Sequence, residues 1–175
     1  MIPFLTVDKL DLEDVPEVYL LIDNFVQRGL LQPWSVKSIA AARESFWVVR
    51  DLSKANSQDL PLQNIVGCCA LFPVSNTNKS SKISKDDKDL LELRCVAVRE
   101  HYSGRGVAKL LVEKMIRLAI KEKKDIFCFS RRNTFFENLG FFIIERKDLH
   151  VDPALDNRYA LDRVAPGVKI YFYKT

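Results

Sequence analysis

The sequence predicts an α+β domain, and three observations carry that prediction. An apolar strand-like run, Cys95–Val98, leads into the glycine turn Ser103-Gly104-Arg105-Gly106, and an amphipathic helix starts at Val107. Short β-branched and aromatic runs flank this segment, among them Phe46-Trp47-Val48-Val49 and the alternating Val168–Tyr173. Helical periodicity separates them: Val15, Val18, Ile22, Phe25 and Val26 share one face of a predicted helix.

In chain order, Phe4–Val7 reads as a first strand and Leu12–Arg28 as a helix that Gly29 stops. A second helix is predicted over Ser35–Arg43 with Ser35 as its N-cap, ahead of the strand Phe46–Val49. Ile65–Phe72 is the next strand, closed by Pro73. The tract Ser75–Asp89 is too polar to bury and reads as a flexible hairpin insertion remote from any chemistry. From Leu90 the pattern alternates and then becomes continuously apolar, which predicts a bulge or a splayed strand near Cys95. After the long helix come a strand at Ile126–Phe129, a short helix at Asn133–Asn138 and strands at Gly140–Ile144 and Val168–Tyr173.

The chain has 175 residues, of which 47% are hydrophobic, enough for the core of one domain spanning residues 1–175. No apolar run approaches the roughly 18 residues of a membrane span, and no basic, then apolar leader opens the chain. The expectation is a soluble, cytoplasmic protein with no membrane partner. The four cysteines, Cys68, Cys69, Cys95 and Cys128, fall inside predicted strands without metal-ligand spacing, as buried reduced thiols would, so no metal is expected. The net charge of +4 is modest and its basic excess lies after the glycine turn, without the aromatic interleaving that would favour nucleic acid. Arg105 and Lys109 lie nearest the turn, where they could neutralise a polyanion.

A glycine turn feeding a helix N-terminus aims backbone N–H groups and the positive end of the helix dipole at one place, which suits a phosphorylated ligand. The turn resembles the pyrophosphate loop of the GCN5-related N-acetyltransferase (GNAT) family, with Gly106 and Ala108 in the Gly and Gly/Ala places and Ser103 in the Arg/Gln place. Between Leu12 and Gly140, the segments Gln27–Leu31, Val66–Leu71, Glu92–Val98 and Phe135–Phe141 resemble more narrowly the acetyltransferase domain of N-acetylglutamate synthases. The resemblance implies a mixed, mostly antiparallel sheet splayed at its fourth strand and flanked by helices, with acetyl-CoA as cofactor in the wedge. Ser103, Gly104, Arg105, Gly106, Val107, Ala108 and Lys109 would then hold the pyrophosphate. Val96, Ala97 and Val98 would pair with the pantetheine arm, together with Asn133, and Phe136 would lie against the cofactor.

Acetylating an amine requires a base, a donor to the oxyanion and a proton for the departing thiolate. By the resemblance, Glu92 is the base, the backbone at Cys95 contacts the acetyl carbonyl, and Ser130 is the further catalytic candidate. A carboxylate facing an apolar wedge would hold its proton more tightly. Alternation alone reads Glu92 instead as an exposed residue paired with Arg94, and Ser130 as a cap of the following helix. Many family members carry a tyrosine acid where this chain has Phe136, a ring with no proton to give. No histidine adjoins Cys95 or Cys128, since His101 and His150 lie elsewhere, so direct transfer is expected over an acyl-enzyme.

The expected partner is a small-molecule amine, glutamate or another amino acid, and homodimers are common in the family. Arg163 and Lys169 resemble a surviving carboxylate clamp, whereas Asp23, where synthases place a basic residue, favours a second amine such as that of a polyamine or a peptide. A different class of function, a non-catalytic acyl-CoA-binding or regulatory module, follows from the missing tyrosine and from Ser103.

Overall fold

Runs of β-branched, aromatic and cysteine side chains form seven strands among the residues described, which are 4–54, 64–74, 90–145, 148–149 and 167–175 of a computed structural model. Lys54 and Asn133 are described by their backbone alone. The strands are β1 (Leu5–Lys9), β2 (Phe46–Asp51), β3 (Ile65–Val74), β4 (Leu90–Val98), β5 (Asp125–Ser130), β6 (Phe142–Ile144) and β7 (Lys169–Tyr173). The helices are α1 (Val15–Gln27), α2 (Val36–Ala41), α3 (Val107–Glu122) and α4 (Asn133–Glu137). Hydrogen-bonded neighbours follow the order β1-β2-β3-β4-β5-β7-β6. The sheet is mixed: β1–β2, β2–β3, β5–β7 and β6–β7 are antiparallel and β4–β5 is parallel, joined through α3. The predicted insertion 75–89 lies outside the described residues.

Local chemistry accounts for the element ends. Leu12–Asp14 is a 3-10 turn rather than the start of the predicted helix, because Pro16 lacks the N–H that would close an α-turn onto Leu12. At the other end Gly29 takes φ +66, and Leu30 N–H reaches Phe25 O at 2.9 Å, closing the helix. Ser35 caps α2 as predicted, its Oγ accepting from Ser38 N–H at 3.0 Å while Ser38 Oγ accepts from Ser35 N–H at 2.9 Å. β3 does not close at Pro73 but continues to Val74, since an exposed proline removes one donor without leaving the extended region.

The chain divides into two compact units, Met1–Leu71 with Cys95–Met115, and Phe72–Arg94 with Ile116–Thr175, so the division crosses β4 between Arg94 and Cys95. In the first unit, register places Val7, Val49 and Gly67 on one sheet face, together with Lys9, Trp47 and Cys69. The start of α3 packs on this face. A Cβ added at Gly67 would lie 2.8 Å from Val107 Cγ1, 3.2 Å from Ala97 O and 3.3 Å from Leu111 Cδ1, so only hydrogen fits. α1 is tied to the unit through Glu17, whose Oε1 accepts from Ile65 N–H at 3.1 Å and from Arg99 at 2.7 Å. Burial raises the Glu17 carboxyl above its ordinary range, and Arg99 opposes that shift.

In the second unit, Val74, Leu90, Phe127, Leu149 and Ile170 form a buried cluster with Phe129, Ile144 and Phe172 against it. A second aromatic group joins α4 to β7, where Phe136 lies 5.3 Å from Phe141 and stacks at 5.4 Å on Tyr171. No helix among the described residues is long and apolar enough to cross a membrane.

Gly67→Ala is expected to destabilise the protein by about 1–3 kcal/mol, since Ala97 O is backbone and Val107 must move. In urea unfolding the midpoint should fall while the slope stays that of the parent protein.

Candidate active site

The glycine turn is anchored by a tyrosine. Tyr102 closes a 3-10 turn, Glu100–Tyr102, and its hydroxyl donates to Asp51 Oδ2 at 2.6 Å at the end of β2. Asp51 Oδ1 accepts from Ser53 N–H at 3.0 Å and from Ser53 Oγ at 2.6 Å. Burial and the bond to Asp51 push the Tyr102 phenol up to about 12, so it remains a donor across the working pH range. The Arg105 guanidinium sits 5.7 Å from the Tyr102 ring centroid, a cation–π contact that holds its charge beside the turn.

Gly104 and Gly106 have φ +74 and +86, values that other residues adopt at a cost, and neither has another atom within 4 Å of an added Cβ. The space over the turn is therefore open. Leu110 N–H makes the bond to Gly106 O at 2.9 Å, so the N–H groups of Val107, Ala108 and Lys109 precede the helical ladder and point outward. Ser103, Gly104, Arg105, Gly106 and Lys109 are exposed, and Lys109 also faces Glu113 at 3.8 Å. Open space, backbone donors and a held cation fit a diphosphate.

β4 shows the bulge that its sequence pattern predicts. Cys95 takes φ +54, left-handed and rare for a residue with a Cβ, and its carbonyl faces the Cys68 thiol at 3.7 Å. Ala97 is buried, and Val96 and Val98 are half-buried. The paired register of β4 with β5 covers Leu90–Glu92 against Asp125–Phe127, although β4 continues to Val98.

Glu92 is 2% exposed, so the exposed reading is corrected, yet the pairing with Arg94 is present: Arg94 Nε lies 2.8 Å from Glu92 Oε1. Arg94 also lies 5.5 Å from the Phe72 ring centroid. Burial disfavours the Glu92 charge and the guanidinium favours it, so the two influences oppose each other. The four cysteines are all buried thiols, and burial together with the charge of Glu92 pushes the Cys128 thiol up. A Cys128 held as thiol is a poor nucleophile.

Ser130 ends β5, and its Oγ accepts from Arg132 N–H at 2.9 Å. The serine thus closes the bend before α4 rather than capping it, for the N-cap is Arg132. That bond uses an oxygen lone pair and leaves the hydroxyl proton to donate. Glu92 pairs with Phe127, so alternation places Cys128 and Ser130 on the opposite sheet face from Glu92. Lys169, exposed and paired with Ser130, shares the serine's face. Phe136 is 4% exposed within its aromatic stack. Asn133 opens α4. Asp23 is half-buried on α1 and accepts from Gln27 at 3.5 Å. Arg163 and His150 lie outside the described residues.

Sequence reasoning missed Asp51 beneath Tyr102, Phe72 beneath Arg94 and Tyr171 behind Phe136. Tyr102 had a signal, an aromatic residue just before a solvent-facing glycine turn. The others had none.

A strand that turns left-handed at Cys95, an open glycine turn and a long helix, in that order, fit a ligand that carries a diphosphate. The acetyltransferase (GNAT) domain family matches residues 42–142, and the chain belongs to that family, whose cosubstrate is acetyl-CoA. The amino-acid acetyltransferase of Mycobacterium tuberculosis (strain ATCC 25618 / H37Rv) is 29% identical over 133 residues, covering 75% of this chain and 65% of that relative. A structure of a Mycobacterium tuberculosis protein in complex with CoA superposes with a TM-score of 0.70 at 23% identity, covering 97% of this chain and 99% of that one. N-acetylglutamate synthase from Neisseria gonorrhoeae, complexed with coenzyme A and N-acetyl-glutamate, gives a TM-score of 0.72 at 19% identity, covering 97% of this chain and 34% of that one. The match thus spans just under two thirds of the mycobacterial acetyltransferase and a third of the neisserial synthase.

Tyr102→Phe leaves the buried Asp51 short of a donor and is expected to cost about 1–3 kcal/mol, read as a lower melting temperature.

Proposed function

We propose that the chain moves an acetyl group from acetyl-CoA directly to the amine of a small amino acid. The observation that carries this reading is the buried Glu92–Arg94 pair on the strand that turns left-handed at Cys95. Acetyl-CoA supplies the activated acyl carbon, and the residues of this chain do the rest. The outward N–H groups of Val107, Ala108 and Lys109, with the Arg105 guanidinium, hold the diphosphate. The main chain of Val96–Val98 aligns the pantetheine arm. A backbone N–H at the Cys95 bulge donates to the thioester oxygen as its charge grows.

Glu92 removes a proton from the acceptor ammonium, directly or through water, so that the amine lone pair can attack. As the N–C bond forms and the C–S bond breaks, the nitrogen sheds its second proton, and Ser130 hydrogen-bonds the departing thiolate and relays a proton to it through water. The name of the mycobacterial relative, amino-acid acetyltransferase, supports an amino acid as the acceptor. Lys169 and Arg163 for an acidic acceptor, and Asp23 for a basic one, remain the candidates that set which amino acid is taken.

A second reading, a non-catalytic acyl-CoA-binding module, rests on the burial of Phe136 in an aromatic stack where a proton donor would serve.

A thiol-release assay over acidic, neutral and basic amino acids and polyamines tests the proposal. Turnover is expected on an amino acid, with Glu92→Gln lowering kcat about 10²- to 10⁴-fold while acetyl-CoA still binds. Tight acetyl-CoA binding without transfer to any amine would instead establish the binding module.

A further inference from the structure

A left-handed residue with a Cβ costs about 1–2 kcal/mol and persists only where its surroundings hold it. At Cys95 the holder is identifiable. The strand ladder is intact at Arg99, whose N–H donates to Val66 O at 2.9 Å. Two residues further along β3, the Cys68 side chain meets the bulge, with Sγ 3.7 Å from the Cys95 carbonyl oxygen. The thiol thus gives its S–H to the Cys95 carbonyl, on the peptide that precedes Val96. Burial keeps Cys68 protonated, so the S–H donor persists.

Peptide planarity converts this contact into an aim. The carbonyl of Cys95 and the N–H of Val96 belong to one trans peptide and point in opposite directions. With the carbonyl turned toward Cys68 on β3, the Val96 N–H points away from β3. We propose that Cys68 is a positioning residue: its thiol holds the Cys95 carbonyl on the β3 side and thereby aims the Val96 N–H at the acyl donor. The inference rests on the acetyl-transfer reading for what that N–H meets, but not for how it is held.

Cys68→Ser, which keeps a donor, and Cys68→Val, which fills the space without one, separate donation from packing. In the protein without CoA, Cys68→Val is expected to shift the Cys95 carbonyl-carbon and Val96 amide resonances, and Cys68→Ser to leave them close to the parent's. By calorimetry, with no turnover needed, Cys68→Val should bind acetyl-CoA about 10-fold more weakly, the loss of roughly one hydrogen bond, with Cys68→Ser restoring most of that affinity. Equal resonances in the two variants, or equal affinities, would overturn the proposal. If Cys68→Val fails to fold, Cys68→Ala takes its place in the same comparison. If the parent protein binds no acetyl-CoA, the functional reading falls and the resonances alone decide the role of Cys68.

Discussion

The reversal of the backbone at Cys95 is the constraint on which the functional region depends. A regular strand spends its N–H and C=O groups on its neighbours, and a protein that must offer main-chain donors to a ligand has to interrupt that pairing without leaving buried polar groups unpaired. β4 leaves the extended region at Cys95, where φ is +54, and the boundary between the two compact units falls at the same place. Glycine would adopt this conformation more cheaply. The Cys68 thiol meets the Cys95 carbonyl from β3 at 3.7 Å.

Rigidity elsewhere in the first unit serves the same end. The glycine turn is exposed and has open space above it, so its own atoms cannot hold it in place. Tyr102 ties its leading edge to Asp51, and Gly67 lets Val107 and Leu111 of α3 settle directly on β3. The loop donors are thus fixed before any ligand arrives, which spares the ordering cost that a loose loop would add to binding. Arg105, laid against the Tyr102 ring, is held by the same anchor.

The second unit places the two candidate acid–base residues, Glu92 and Ser130, on different sheet faces. Glu92 and Arg94 face the side of Phe72 and Phe127, while Ser130, Cys128 and Tyr171 face the side on which Phe136 stacks. Phe136 is buried in that stack, a ring with no proton to give. Glu92 proved to be both things its sequence allowed, a buried carboxylate and the ion-pair partner of Arg94, because burial and pairing are compatible when the partner lies two residues along the same strand.

What the sequence by itself determined is local. The glycine turn between an apolar strand and an amphipathic helix, the Ser35 cap, the Gly29 stop and the bulge near Cys95 were legible because each depends on dihedral preference or periodicity within a few residues. Membership of the acetyltransferase fold followed from the same short segments. Only the tertiary structure decided that Cys68 meets Cys95, that Asp51 lies beneath Tyr102, that Phe72 lies beneath Arg94 and that Glu92 and Ser130 face opposite sides. Those facts depend on strand register between segments far apart in the chain. A slip of one residue would exchange the faces and break every such contact while leaving each local pattern unchanged.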